Sequence, residues 1–199
     1  MATSDIDIVN RALTMLGVDP INALSDSTKA ASTANRLFND TRAAVFRGHP
    51  WNCLIKRASL PQEAQAPVYG YAYAFTLPAD FLRLLSIENN LGKYSIEGKK
   101  ILYDDEILQI MYIGLVTDVI TYDTLLIDAL AARLAADMAH PLLQSTEAMQ
   151  RMYNLYELKL REAKFVDAQE NAQDVLDTDY WLDSRTGVTP SWISVPPRY

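Results

Sequence analysis

Residues 123–140 constrain this chain more than any other stretch, because a helix there has almost no polar face. Leu125, Leu126, Ile127, Leu130, Leu134, Ala135 and Met138 surround the axis. A helix apolar on nearly every side must be covered all round, by its own subunit or by another. Pro141 is expected to stop it. Ser145 or Thr146 then caps a longer helix over 145–173, with Glu147 complementing the dipole. Along it Met149, Tyr153, Tyr156, Leu160 and Ala163 recur at fours and threes, a heptad-like seam. The short link predicts an antiparallel αα-hairpin, whose longer arm would span roughly 40 Å at helical rise. Leu130, Leu134, Tyr153, Tyr156 and Leu160 are the expected subunit-packing residues.

Two helices precede this pair. Ser4 and Asp7 have capping-box spacing, and Ile6, Val9, Leu13 and Leu16 form one stripe over a helix at 5–17, closed by Gly17 and Pro20. A second helix over 28–47 carries Ala30, Ala34, Leu37, Phe38, Thr41 and Val45 on one face, and Gly48 and Pro50 end it. Its small alanines suit close helix packing.

Between the helical halves, over 54–114, the period changes to that of strands. Short apolar runs at 82–88, 94–96, 101–103 and 107–113 follow a tyrosine-rich run at 68–77, and Glu97-Gly98 sits between two of them as a tight turn. Tyr69, Tyr71, Tyr73 and Phe75 alternate, which would make one strand face wholly aromatic. That face either packs on the helices or forms an interface, where tyrosine is enriched. The expected fold class is therefore mainly α with a small antiparallel β insertion (α+β). It is a helical bundle including a long αα-hairpin, with one domain over 1–173.

The remaining stretch, 174–199, is aperiodic. Asp174, Asp177, Asp179 and Asp183 give it an acidic opening, while Tyr180, Trp181, Trp192, Pro196, Pro197 and Tyr199 give it anchors. An acidic, aperiodic segment does not fold alone. It reads as an extended docking tail for a partner, or as a strap folding back on the chain's own helices.

Function classes narrow by elimination. The 199 residues suffice for one core or two small lobes, and 49% hydrophobic with 22% charged residues is globular composition. A net charge of −7 with only 18 Lys and Arg opposes an electrostatic grip on nucleic acid. A basic patch would have to be local, for example around Lys56 and Arg57, or Lys93, Lys99 and Lys100. Cys53 is the single cysteine, which fits a reducing compartment. The opening residues have neither a basic start nor an apolar run, so no signal peptide is expected, and no apolar stretch reaches spanning length.

Catalytic chemistry is sparse. His49 and Cys53, four apart, could pair as imidazole and thiol, but Pro50 between them disfavours a regular helix and no orienting third group is evident. They read as boundary residues. Asp104, Asp105 and Glu106 read as a solvated turn, lacking the glycine of a calcium loop. No Walker loop, GxGxxG, GxSxG or HExxH occurs. No catalytic residue, metal or cofactor is expected.

The order of signals resembles the head-to-tail adaptors of short-tailed bacteriophages, the tail tubular protein A family, and related prophage proteins. The likeness is carried by 8–17 (IVNRALTMLG), 34–38 (ANRLF), 49–52 (HPWN), 56–60 (KRASL), 71–82 (YAYAFTLPADFL), 129–136 (ALAARLAA) and the long helix that follows. It runs to about Asp183 and does not include the proline-rich end after Trp192. The resemblance implies a structural virion protein at the head–tail junction, made in the host cytoplasm. Its partners would be itself in a dodecameric ring, the portal protein, the tail nozzle and tail fibre proteins. Double-stranded DNA would pass through the lumen unheld, and there would be no membrane partner. Under it, Tyr180, Trp181, Trp192, Pro196, Pro197 and Tyr199 would meet the portal. The rival reading is a phage-borne peptidoglycan hydrolase, which needs two carboxylates converging in a cleft; Glu63, Asp80 and Glu88 are its candidates. A regulatory DNA-binding module lacks a basic recognition helix.

Overall fold

A computed structural model of the chain describes residues 4–88 and 93–170. A compact unit runs through Asp167, and a second begins at Ala168, of which 168–170 are described. Four helices and two small antiparallel sheets make a mixed α+β fold. None of the helices among the described residues is long and apolar enough to cross a membrane.

Helix α1, Asp5–Leu16, starts from a complete capping box: Ser4 Oγ accepts the Asp7 amide, and the Asp7 carboxylate accepts the Ser4 amide. Gly17 closes it in the left-handed region, φ 70°, where a side chain would be strained. Helix α2, Lys29–Gly48, is capped by the Thr28 hydroxyl. Both pack on α3, Thr124–Leu143, through buried alanines: Ala30, Ala31 and Ala34 on α2, and six on α3 from Ala129 to Ala139. Small side chains bring the axes close, and the larger Phe38, Phe46, Leu126 and Leu130 fill the space between.

Pro141 does not stop α3. It removes one backbone donor inside the last turn, and the helix continues to Leu143. Gln144 ends it by turning left-handed at φ 53° and donating its amide to the His140 carbonyl. Ser145 then caps α4, Thr146–Gln169, by accepting the Ala148 amide, so the two helices are separated by two residues. Helix α4 ends before the expected 173; its core face is Ala148, Met152, Tyr156, Ala163 and Asp167. The predicted seam is thus displaced. Met149 and Tyr153 lie outside it, beside the buried face, at 37% and 38% exposed, although Arg133 lies over the Tyr153 ring as it does over Tyr156.

The β region is two sheets rather than one. Strands β1 (Ile55–Leu60), β6 (Leu108–Gly114) and β3 (Phe81–Ile87) form the first in the order β1-β6-β3; β2 (Tyr73–Thr76), β5 (Lys100–Tyr103) and β4 (Ser95–Glu97) form the second in the order β2-β5-β4. All pairings are antiparallel. Gly98, at φ 59°, turns β4 into β5 with Glu97 opposite Lys100. The period-two alternation of β6 divides its side chains between two cores. Leu108, Ile110 and Tyr112 join Leu60, Phe75, Ile101 and Tyr103 in a smaller core, while Ile113 belongs to the helical one.

The aromatic strand is shorter than the alternation predicts. Only Tyr73 and Phe75 of the four aromatics lie in it, and Phe75 is fully buried. Gly70 at φ 90° breaks the extended run, leaving Val68 and Tyr69 in an exposed loop, 95% and 87% accessible.

Candidate functional site

His49 does have an orienting carboxylate, but it comes from a residue 118 positions downstream, where no local pattern could announce it. Asp167 is almost wholly buried at the end of α4. One of its oxygens lies 3.1 Å from His49 Nε2, and the other accepts the Asn52 backbone amide at 3.0 Å. The Asn52 side-chain amide donates to the Asp167 carbonyl at 2.7 Å. Trp51, between them, stands edge-on to His49 with ring centroids 4.7 Å apart and donates its indole N–H to the Val45 carbonyl. The chain fragment 49–52 therefore grips the end of α4 from the end of α2.

The electrostatics of this cluster suit a structural pin. Burial lowers the His49 imidazole from its ordinary value, against the raising effect of Asp167, with Lys164 and Arg83 lowering it further. Burial pushes the Cys53 thiol up, the opposite of what a thiolate nucleophile requires. Asp167 thus orients His49 for packing, and His49 is engaged with Asp167 rather than with the thiol.

The three carboxylates named for a hydrolase are each placed separately. Burial pushes the Asp80 carboxyl up, but Lys56 at 2.6 Å and the Tyr112 hydroxyl at 3.2 Å together hold it below the usual range. Lys100, at 2.5 Å, and Thr76 hold Glu63 low as well. Glu63 does share a cleft with Glu97, yet a lowered carboxyl is the reverse of a general acid. Glu88 lines a different cleft with Arg57 and Gln109. Asp104, Asp105 and Glu106 form the exposed turn expected, Asp104 accepting the Ala72 amide, and no group of metal-ligating side chains occurs among the described residues.

Of the expected packing residues, Leu130 and Leu134 are entirely buried within the chain and Tyr156 nearly so. Leu160 is half-buried and Tyr153 is 38% exposed. Arg133, held by Asp137 at 3.2 Å, lies over the rings of both Tyr153 and Tyr156. Besides Tyr153, α4 leaves Met149 of the predicted seam exposed, and also Leu158 and Phe165, which the heptad reading does not include and which lie on the opposite face of the helix. Tyr180, Trp181, Trp192, Pro196, Pro197 and Tyr199 lie outside the described residues.

Of the conceivable basic patches, Lys56 and Lys100 are neutralised by Asp80 and Glu63. Lys99 instead lines a cleft with Arg47 and Arg83, two cations distant in sequence. Comparison with protein-family models gives no match, and no curated protein is significantly similar in sequence to this chain.

Proposed function

We propose that the chain is a structural virion protein, a head-to-tail adaptor whose ring joins the portal to the tail nozzle around the DNA exit channel. The observation that carries this reading is the order of sequence signals from 8–17 to the long last helix, which resembles the adaptor family over most of the chain. In this reading the four helices form a bundle with α3 and α4 as an αα-hairpin. Lys159 on α4, 3.2 Å from Asp128 on α3, and Arg133 over Tyr153 and Tyr156 support that pairing. Leu158 and Phe165 give α4 an outward apolar face available to a neighbouring subunit, Met149 and Tyr153 stand exposed beside its buried face, and Leu130 and Leu134 serve the interior. The acidic balance suits a channel that must release DNA, since each neutralised phosphate strengthens binding. The chain performs no catalysis and needs no cofactor, and Trp181 and Trp192 anchor its tail on the portal.

Electron microscopy of the purified chain mixed with portal rings tests the proposal. Added density beneath the portal is the expected result, with mainly monomer in sedimentation of the chain alone. No complex at any ratio, or peptidoglycan release that disappears in Glu63→Gln, would overturn it and favour the hydrolase.

A further inference from the structure

We propose that the cleft between the start of β3 and the β4–β5 hairpin is a docking site for an acidic peptide segment bearing large apolar side chains. The cleft has a volume of ≈ 470 Å³. Its floor includes Phe81, Tyr94 and Ile96, the last two each 43% exposed. Three cations line it, Arg47, Arg83 and Lys99, with no carboxylate among the lining residues.

That charge pattern runs against the composition of the chain, whose net charge is −7. Elsewhere Arg11, Arg42, Lys56 and Lys100 each have a carboxylate partner. Arg47 and Arg83 instead donate to backbone carbonyls across the gap between α2 and β3: Arg47 Nη1 to the Leu82 carbonyl, and Arg83 Nη1 to the Arg47 carbonyl at 3.1 Å. These bonds hold both side chains at the one cleft and leave their remaining N–H donors unused by any carboxylate of the described residues. Three cations lining one cleft favour an anionic occupant, and guanidinium is suited to carboxylates.

The floor and the flanking strands define the rest of the occupant. Exposed tyrosine and isoleucine gain from covering apolar side chains, which a nucleic-acid backbone does not offer. Both β3 and β4 are edge strands of their sheets, so an extended segment can lie along them and place alternate side chains toward the floor. Charge around the margin with apolar anchors in the centre is the anatomy of a peptide site.

The test is fluorescence anisotropy of the full chain with a labelled synthetic peptide alternating Asp with Leu and Trp. A version with Ser for each Asp and a labelled DNA duplex run beside it. The acidic peptide is expected to bind, and to bind less tightly as salt is raised from about 50 to about 500 mM. Lys99→Glu is expected to weaken binding about tenfold with an unchanged melting temperature, because the Lys99 side chain makes no ion pair among the described residues and a margin charge acts mainly on encounter. Ile96→Asp tests the floor and is expected to abolish binding of the same peptide. Equal binding of the serine peptide, or an unaffected Lys99→Glu variant, overturns the proposal. Tight binding of the duplex but not of the peptide makes the cleft a phosphate surface and overturns it too. So does a dimer that Lys99→Glu dissociates, since the occupant is then a second copy.

Discussion

Helices α3 and α4 are neighbours in sequence, separated by two residues, yet they are held in opposite ways. Eleven of the 20 residues of α3 are buried, and nothing on it needs a polar partner to stay there except Asp128, Arg133 and Asp137 at its margin. Helix α4 has 24 residues and buries five of them, one of which is the charged Asp167. It is fastened by polar contacts at intervals: Arg133 over its tyrosines, Asp128 to Lys159, and the His49–Asn52 grip on Asp167. Area removed from water holds α3, whereas specific geometry holds α4. The first is tolerant of detail and intolerant of charge; the second is the reverse.

Charge placed on α3 is the severest way to break this contrast. Leu130→Asp puts an unpaired carboxylate at a fully buried position and is expected to unfold the chain, read as loss of the cooperative thermal transition by circular dichroism. A normal melting curve for this variant would remove α3 from the core.

Truncation on α4 comes next and separates two residues that the heptad spacing treats alike. Tyr156→Ala, at a position 8% exposed, is expected to cost about 3 kcal/mol in denaturant unfolding. Tyr153→Ala, at 38% exposed, is expected to cost less than about 1 kcal/mol. Equal costs would restore the heptad seam.

The polar grip is weaker and is the only part expected to respond to mild acid. Asp167→Ala removes the carboxylate that meets the Asn52 backbone amide and His49, a loss of about 2 kcal/mol. Because burial lowers the His49 value in the folded chain, the unfolded chain binds the extra proton first as pH falls below about 6.5. Stability is therefore full above that value and declines until the lower folded value is reached. Removing the raising effect of the carboxylate in Asp167→Asn is expected to deepen the decline, and His49→Asn to abolish it. Urea unfolding at pH values between about 7.5 and 5 checks both. A stability that rises on acidification would reverse the assignment of burial as the dominant influence.

The smallest expected effect is a gain. Gln144 holds a left-handed conformation in the two-residue link, at φ 53°. Gln144→Gly is expected to stabilise the chain by roughly 0.5–1 kcal/mol, relief of left-handed strain outweighing the freedom that glycine adds to the unfolded chain. A loss in thermal unfolding would mean that the Gln144 side chain contributes to the link.

The same contrast explains what was legible in the sequence. Helices α1, α2 and α3 could be read because apolar periodicity and caps are local: Ser4, Asp7 and Gly17 act as expected, while Thr28, read as the first residue of α2, is its cap. The buried side of α4 was legible only in part: Tyr156 and Ala163 of the seam are buried, whereas Tyr153, at the same kind of spacing, is left 38% exposed by packing that no local pattern announces. Strand β1 escaped because Lys56 and Arg57 mask its alternation, and its sheet partner β6 is fixed by a register that pairs Ile55 with Ile113 and Leu60 with Leu108, far off in sequence. The partner of His49 was hidden for the same reason: Asp167 is a spatial neighbour only. The grouping of Arg47, Arg83 and Lys99 likewise arises from tertiary structure, and of the three only Lys99 stood in a visible run of cations.

Strand β6 carries a last consequence. Its side chains divide between the helical core and the smaller one, so a single segment of seven residues is a common wall to both. Neither compartment can open without exposing the face that the other depends on. The two sheets and the helices are thereby coupled into one cooperative folding unit, and a fault introduced on either side of that wall is felt on both.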